Sequence, residues 1–167
     1  MHRLFGLLVA LLLFLAPAAA QAPSLTTIVL VRHAERGTDD PRDPGLSESG
    51  RARAVRLQQL LADLPVQLAW TTDYRRTRQT LEPLVASRPV TLAIYDPRDL
   101  GAAVERIVRE SVGKTVIVAG HANTVPTMVN LLAGKNLYAD LAESEYGKIW
   151  IVHLREGHPP IIVPLNY

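Results

Sequence analysis

The sequence has no cysteine among its 167 residues. That absence excludes disulfides, zinc–thiolate sites and a thiol nucleophile together. Net charge is also small, formally +2, so no strong field draws the chain to nucleic acid or to an anionic membrane. Internal repeats are absent. No HExxH pattern and no close acidic third ligand accompany the histidines, so the known spacings of a metal centre are missing as well. Lysine is scarce, at three residues against fifteen arginines. Arginine is the better fork for phosphate and carboxylate, so the basic residues present are of the kind that holds oxyanions. Apolar residues make up 48% of the chain, which excludes a disordered chain and allows a full core. The length suits one domain rather than two.

The first twenty residues read as a leader rather than as part of the fold. Met1-His2-Arg3 is a short basic start, Leu4 to Leu15 is almost continuously apolar, and Ala16-Pro17-Ala18-Ala19-Ala20 ends in small residues. This is the layout of a secretory signal peptide cleaved after Ala20. A retained membrane anchor is the alternative, but a span needs roughly 20 apolar residues and this run is shorter. The expectation is an exported protein, periplasmic or secreted, with residues 21–167 as its one domain and no stable membrane anchor after cleavage.

Strands and helices then alternate. A buried strand runs from Thr26 to Val31 and leads directly into Arg32-His33-Ala34-Glu35. The turn-rich stretch from Gly37 to Gly45 follows as a loop and forms one rim of any site around His33. Ser47 is a plausible N-cap for an amphipathic helix from Glu48 to Leu64, whose arginines Arg51, Arg53 and Arg56 read as a solvated face. Val66 to Trp70 is a second buried strand and Tyr74 to Ser87 a second helix, kinked or shortened by Pro83. Val90 to Tyr95 is a third strand, and Leu100 to Ser111 a third helix. Lys114 to Ala119 is a second core strand, ending at Gly120-His121-Ala122-Asn123-Thr124. A helix from Val125 to Ala133 ends at Gly134. Two last strands, Tyr146 to Leu154 and Pro160 to Leu165, are joined by a hairpin-like turn. The pattern predicts a three-layer α/β/α fold, with a mostly parallel central sheet and antiparallel strands near the C-terminus.

In such sheets functional groups collect at the carboxyl ends of the strands. That rule links His33 with His121, 88 positions away, and with the arginines Arg75, Arg76 and Arg78 that follow the second strand. Two histidines with arginines at one end of a sheet make a pocket for an oxyanion, phosphate first, because a guanidinium can hold it by two parallel hydrogen bonds. Taken alone, a histidine at a strand end is more often structural than catalytic; the convergence of three segments is what argues for function. His153, in a strand, His158, in a turn, and His2, in the leader, have no place in the site.

The segments Val31-Arg32-His33-Ala34-Glu35, Arg76-Thr77-Arg78-Gln79-Thr80 and Gly120-His121 resemble the histidine phosphatase superfamily, with its phosphoglycerate-mutase-like fold. Leu46-Ser47-Glu48-Ser49-Gly50 matches the start of that family's first helix. The resemblance spans Thr26 to Ala133. It implies that His33 is a nucleophile that becomes phosphorylated, and that Arg32, Arg76 and His121 bind the phosphoryl group. Arg76 carries the matching offset from Gln79, which leaves Arg75 and Arg78 at the surface or rim. The chain departs from the pattern at Ala34, where the family's triplet ends in glycine; a methyl there restricts the backbone and narrows the floor of the site.

The resemblance also asks for a proton donor after the third strand. Asp96 is the candidate, with Asp99 and Glu35 as alternatives and loop capping as the other reading of Asp96. Glu35 and Asn123 are further candidates for substrate contact; Asn123 and Thr124 serve equally well as helix caps. No metal or cofactor is called for, since the arginines supply the positive charge. The expected activity is hydrolysis of a small phosphorylated substrate. A phosphoryl-transferring mutase is the first alternative, disfavoured by export and by the short chain. A phosphate-binding module without turnover is the second. Export equally disfavours a protein phosphohistidine substrate. The sequence says nothing of the oligomeric state.

Overall fold

The computed structural model describes residues 24–167; the leader reading falls outside them. Six strands and four helices alternate: β1 (Thr26–Arg32), α1 (Glu48–Leu60), β2 (Val66–Thr71), α2 (Arg75–Ala86), β3 (Thr91–Ile94), α3 (Leu100–Glu110), β4 (Thr115–Gly120), α4 (Thr124–Ala133), β5 (Lys148–Leu154) and β6 (Ile161–Asn166). They form one sheet in the order β3-β2-β4-β1-β5-β6. β3, β2, β4 and β1 run parallel; β5 pairs antiparallel with β1, and β6 antiparallel with β5. The mostly parallel sheet with an antiparallel C-terminal pair agrees with the sequence reading.

Three layers follow from the alternation within β1, every residue of which is buried. Ile28 and Leu30 pack with Ala103 and Ile107 of α3 and with Met128 and Val129 of α4. Val29 and Val31 pack on the other face with Leu57 of α1 and with Leu81 and Leu84 of α2. A strand covered on both faces reads as a continuous apolar run, which is how Ile28-Val29-Leu30-Val31 stands in the sequence.

Helix ends explain most of the differences from the sequence reading. Ser47 caps α1 by accepting a hydrogen bond from the Gly50 N–H at 3.0 Å. That helix ends at Leu60, not at Leu64. Residues 61–64 continue as turns, with Ala62 and Leu64 N–H groups bonded three residues back to Gln59 and Leu61. Leu61 and Leu64 still face the same core, so the apolar periodicity outruns the helix. Pro83 lies within α2, which continues to Ala86; the loss is confined to the Gln79 carbonyl, whose usual donor it removes.

The register of the central pair positions the site. Arg32 of β1 stands opposite Gly120 of β4, and the His33 N–H continues the ladder to the Gly120 carbonyl at 2.8 Å. His33 and His121 are therefore brought together by two adjacent strand ends.

Candidate active site

His33 is 5% exposed. Its Nδ1 lies 2.8 Å from the carbonyl oxygen of Ala34. A carbonyl only accepts, so Nδ1 carries the proton and Nε2 keeps its lone pair. Burial, with the proximity of His121, Arg76 and Arg32, lowers the His33 pKa to about 3 against the raising effect of the Ala34 hydrogen bond. The ring is neutral at pH 7, as a nucleophile must be. The loop bearing it is fixed from α2: the Thr80 hydroxyl accepts from the Ala34 N–H at 2.9 Å and donates to the Arg76 carbonyl at 2.7 Å. Gln79 accepts the Leu46 N–H at 2.7 Å. The Gln79-Thr80 pair thus ties the His33 loop to the helix that carries Arg76. The Ala34 methyl, fully buried, packs with Leu46 and Ala54.

His121 lies with its ring centroid 5.4 Å from that of His33, edge to face. Gly120 before it has to be glycine. A Cβ there would stand 2.7 Å from the Tyr95 hydroxyl and 2.8 Å from the Thr124 hydroxyl. Burial and the charges of Arg76 and Arg32 lower the His121 pKa to about 4, so both imidazoles are neutral at pH 7. Thr124, not Asn123, organises this turn: its hydroxyl accepts the His121 N–H at 2.8 Å, whereas the exposed Asn123 makes no side-chain cap.

Two arginines complete the wall. Arg76 stacks over the Tyr74 ring at 4.4 Å, lies 3.6 Å from the Asp43 carboxylate, and approaches His121 Nδ1 at 3.5 Å. Asp43 also accepts the Arg75 N–H at the start of α2. Arg32 is 4% exposed. Its Nη1 donates to three carbonyl oxygens, of Ala142, Glu143 and Glu145, at 2.8, 3.0 and 2.9 Å. Its guanidinium lies 4.0 Å from the centre of the Tyr146 ring, and its Nε is buried without a partner. Arg32 therefore clamps residues 136–147, a segment without helix or strand, across the site and leaves one donor unsatisfied.

The resulting cavity is about 290 Å³ and is lined by Arg32, His33, Arg36, Arg76, Ala122, Leu141 and Glu143. A larger one, about 440 Å³, is lined by Arg75, Arg78 and Leu92 among others, and by neither histidine of the site. Arg75 pairs with Asp39, and Arg78 with Asp73, the surface roles expected of them.

Three sequence candidates are placed elsewhere. Glu35 is bound by Arg53 of α1 through three contacts of 2.7–2.9 Å. Arg53 also reaches the Tyr167 carbonyl at 3.2 Å, so Glu35 joins the loop after β1 to α1 and to the C-terminus rather than facing the cavity. Of the α1 arginines read as a solvated face, Arg51 and Arg56 are exposed and Arg53 is half-buried in this contact. Asp96 is held by Arg98 two residues on, through three side-chain hydrogen bonds and one from the Arg98 N–H. These bonds lower its pKa to about 2. An acid must hold its proton near neutral pH, and Asp96 does not line the cavity. Asp99 accepts the Ala102 N–H as N-cap of α3.

Several contributors escaped the sequence reading. Thr72 and Thr77, both fully buried, back His121 from behind. Thr72 follows β2 directly, so the strand-end rule that found the histidines would have found it too. Arg36 carries no periodic signal.

Residues 28–98 match the histidine phosphatase superfamily (branch 1). Over that stretch, a little under half of the chain, the sequence is similar to that superfamily. No curated protein matches its sequence. Solved structures share this fold at low identity. YhfR of Bacillus stearothermophilus is 17% identical, covering 83% of this chain and 95% of its own, with a TM-score of 0.68. A protein histidine phosphatase SixA complexed with tungstate is 17% identical over 84% of this chain and 96% of its own, with a TM-score of 0.65. A mutant phosphoserine phosphatase of Entamoeba histolytica in complex with phosphoserine is 14% identical over the same two shares, also with a TM-score of 0.65. At these identities the likeness establishes the phosphoglycerate-mutase-like fold and leaves the substrate open.

Proposed function

We propose that the chain is a phosphomonoester hydrolase that works through a phosphohistidine on His33. The observation that carries this reading is the bare Nε2 of His33, held by the Ala34 carbonyl in a cavity shared with Arg32 and Arg76 and beside His121. Nε2 attacks the phosphorus, and the bond to the leaving oxygen breaks. Arg76, Arg32 and His121 hold the phosphoryl oxygens and offset the charge they gain. Water then attacks the phosphorus, the P–Nε2 bond breaks with its electron pair returning to nitrogen, and phosphate leaves. Positive charge for both steps comes from the two guanidiniums, so the reading requires no metal. A mutase would share the first step and pass the phosphoryl group to a second substrate.

The leaving group is where the site is selective. Among the described residues the carboxylate lining the cavity is that of Glu143, ion-paired with Arg36 at 2.7 Å. Asp96 is engaged with Arg98. This arrangement favours esters and phosphoramidates whose leaving group departs without a proton from the protein. It supports a second reading, one that export disfavours: phosphohistidine as substrate, the group in the name of a further structural relative. Export through a leader cleaved after Ala20 belongs to the proposal and rests on the sequence layout alone; the N-terminal residue of the protein recovered from its host tests it, Gln21 being expected.

The test of the activity offers the folded protein an aryl phosphate and a phosphoramidate with a chelator present. Release of phosphate from either, undiminished by the chelator, is the expected result. No release from folded protein would overturn the hydrolase reading, and release that the chelator abolishes would overturn the metal-independent mechanism.

A further inference from the structure

Behind His121 lies a chain of hydroxyls that the phosphatase reading does not itself require. Thr72 Oγ1 stands 3.1 Å from His121 Nε2 and 2.8 Å from Thr77 Oγ1. Thr77 Oγ1 stands 2.8 Å from the Tyr74 carbonyl and 3.1 Å from the Thr72 carbonyl. Both threonines are 0% exposed, so water cannot replace either partner. Buried hydroxyls cost stability unless paired, and valine has nearly the same shape. The hydroxyls therefore call for an explanation beyond packing.

The proton positions along this chain are determined. A carbonyl only accepts, so the single Thr77 proton goes to the Tyr74 or Thr72 carbonyl. The Thr77 oxygen must then accept from Thr72, which uses the single Thr72 proton. What remains for Thr72 is to accept from His121, and this requires a proton on Nε2. At the opposite edge of the ring an Arg76 N–H stands 3.5 Å from Nδ1. A guanidinium only donates, so this long contact agrees with a lone pair on Nδ1. The threonine chain sets the tautomer, and the Arg76 contact is consistent with it.

We infer that Thr72, backed by Thr77, is a positioning residue that fixes His121 as its Nε2–H tautomer and so presents the Nδ1 edge, beside Arg76, to the phosphoryl group. The inference rests on the reading of His121 as a phosphoryl-binding group. A phosphate dianion meeting a bare Nδ1 would face a lone pair, so its binding brings one proton to Nδ1. Nε2–H then continues to donate to Thr72, and both N–H groups of the imidazolium are satisfied. The groups facing His121 are Arg76 and Tyr74 from the start of α2, Arg32 and His33 from the end of β1, and Thr72 from the end of β2. Among these the histidines have the ordinary value nearest neutrality, lowered here to about 3 for His33 and about 4 for His121.

The test is nitrogen NMR of the histidine-labelled protein, read first without ligand and then with inorganic phosphate. In the free wild type at pH 7, His121 is expected to show a protonated Nε2 and a bare Nδ1. Phosphate should protonate Nδ1, with an uptake of about one proton in calorimetry across buffers. Thr72→Val should yield a mixed or reversed tautomer and about tenfold weaker phosphate binding, while Thr72→Ser should stay within twofold of wild type. Thr77→Val frees the Thr72 proton without touching His121 and should also yield mixed tautomers. A bare Nε2 in the wild type would overturn the inference. So would Thr72→Val and Thr77→Val proteins that fold and keep the wild-type tautomer. The tautomer is read without ligand, so a wild type that fails to bind phosphate would count against the phosphatase reading while the threonine assignment is still decided.

Discussion

The two histidines of the site are held in different ways. His33 is fixed by its own neighbour, through a backbone carbonyl that no substitution removes. His121 is fixed by side chains of another element, Thr72 behind it and Arg76 beside it. The group proposed to make a covalent bond thus has a tautomer built into the main chain, while the group proposed to hold oxygens depends on residues that can vary. A nucleophile with the wrong nitrogen bare has no activity; a binding group with the wrong edge exposed has weaker activity. The difference predicts that substitutions around His121 tune the site and that substitution of His33 ends it.

The largest effect should come from removing the nucleophile. His33→Ala is expected to lower turnover at least ~1000-fold and to abolish any phosphoenzyme; steady-state rates with an aryl phosphate check it, and activity within tenfold of wild type would erase the contrast between the histidines. Next stands Arg76→Lys, which keeps the charge but loses the fork. A loss of about 100-fold in kcat/KM is expected, and a loss of less than threefold would mean that Arg76 does not grip the phosphoryl group.

Stability against pH probes both rings at once. Their pKa values are lowered from 6.5 to about 3 and about 4. Between those values and 6.5 the unfolded chain binds more protons than the folded one. Stability is therefore held above pH 6.5 and lost as the pH falls toward 4, by at most about 1.4 kcal/mol per pH unit for each ring. Denaturant titrations from pH 7.5 to 4.5 should show this slope, and His121→Asn should reduce it. Inorganic phosphate should reduce it too, since bound phosphate favours the protonated ring.

The outlying carboxylates should matter least to catalysis. Arg53→Met is expected to cost about 1 kcal/mol of stability, because Glu35 and Arg53 are each 22% exposed and partly screened, with kcat within threefold. Asp96→Asn should leave kcat within twofold for good and poor leaving groups alike. A selective loss with poor leaving groups would return Asp96 to the role of acid.

Much of this was legible because it follows from strand ends. Apolar runs ending in His33 and His121 locate two adjacent β-strand termini, and the parallel register does the rest. Arg76 was legible through its offset from Gln79 and Thr80, and the structure gives that offset a cause: the two residues fasten the His33 loop to the helix bearing Arg76. Glu35 was left open because its sequence neighbours are site residues, whereas its partner Arg53 sits on a helix face that reads as solvated until the loop is laid against it. Asp96 was left between proton donor and loop residue because a local pair with Arg98 carries no periodic mark. The clamp of Arg32 on three carbonyls was hidden for another reason: main-chain acceptors are the same at every residue, and residues 136–147 have no pattern of their own.

The central claim is a covalent bond at one nitrogen, and it can be read directly. The protein is mixed with a slow phosphoramidate or aryl phosphate, quenched in alkali within the first turnover, digested, and sequenced by mass spectrometry under conditions that spare phosphohistidine. The account predicts phosphate on His33, at Nε2. Phosphate on another residue, or rapid turnover with no covalent phosphate at any quench time, would contradict it.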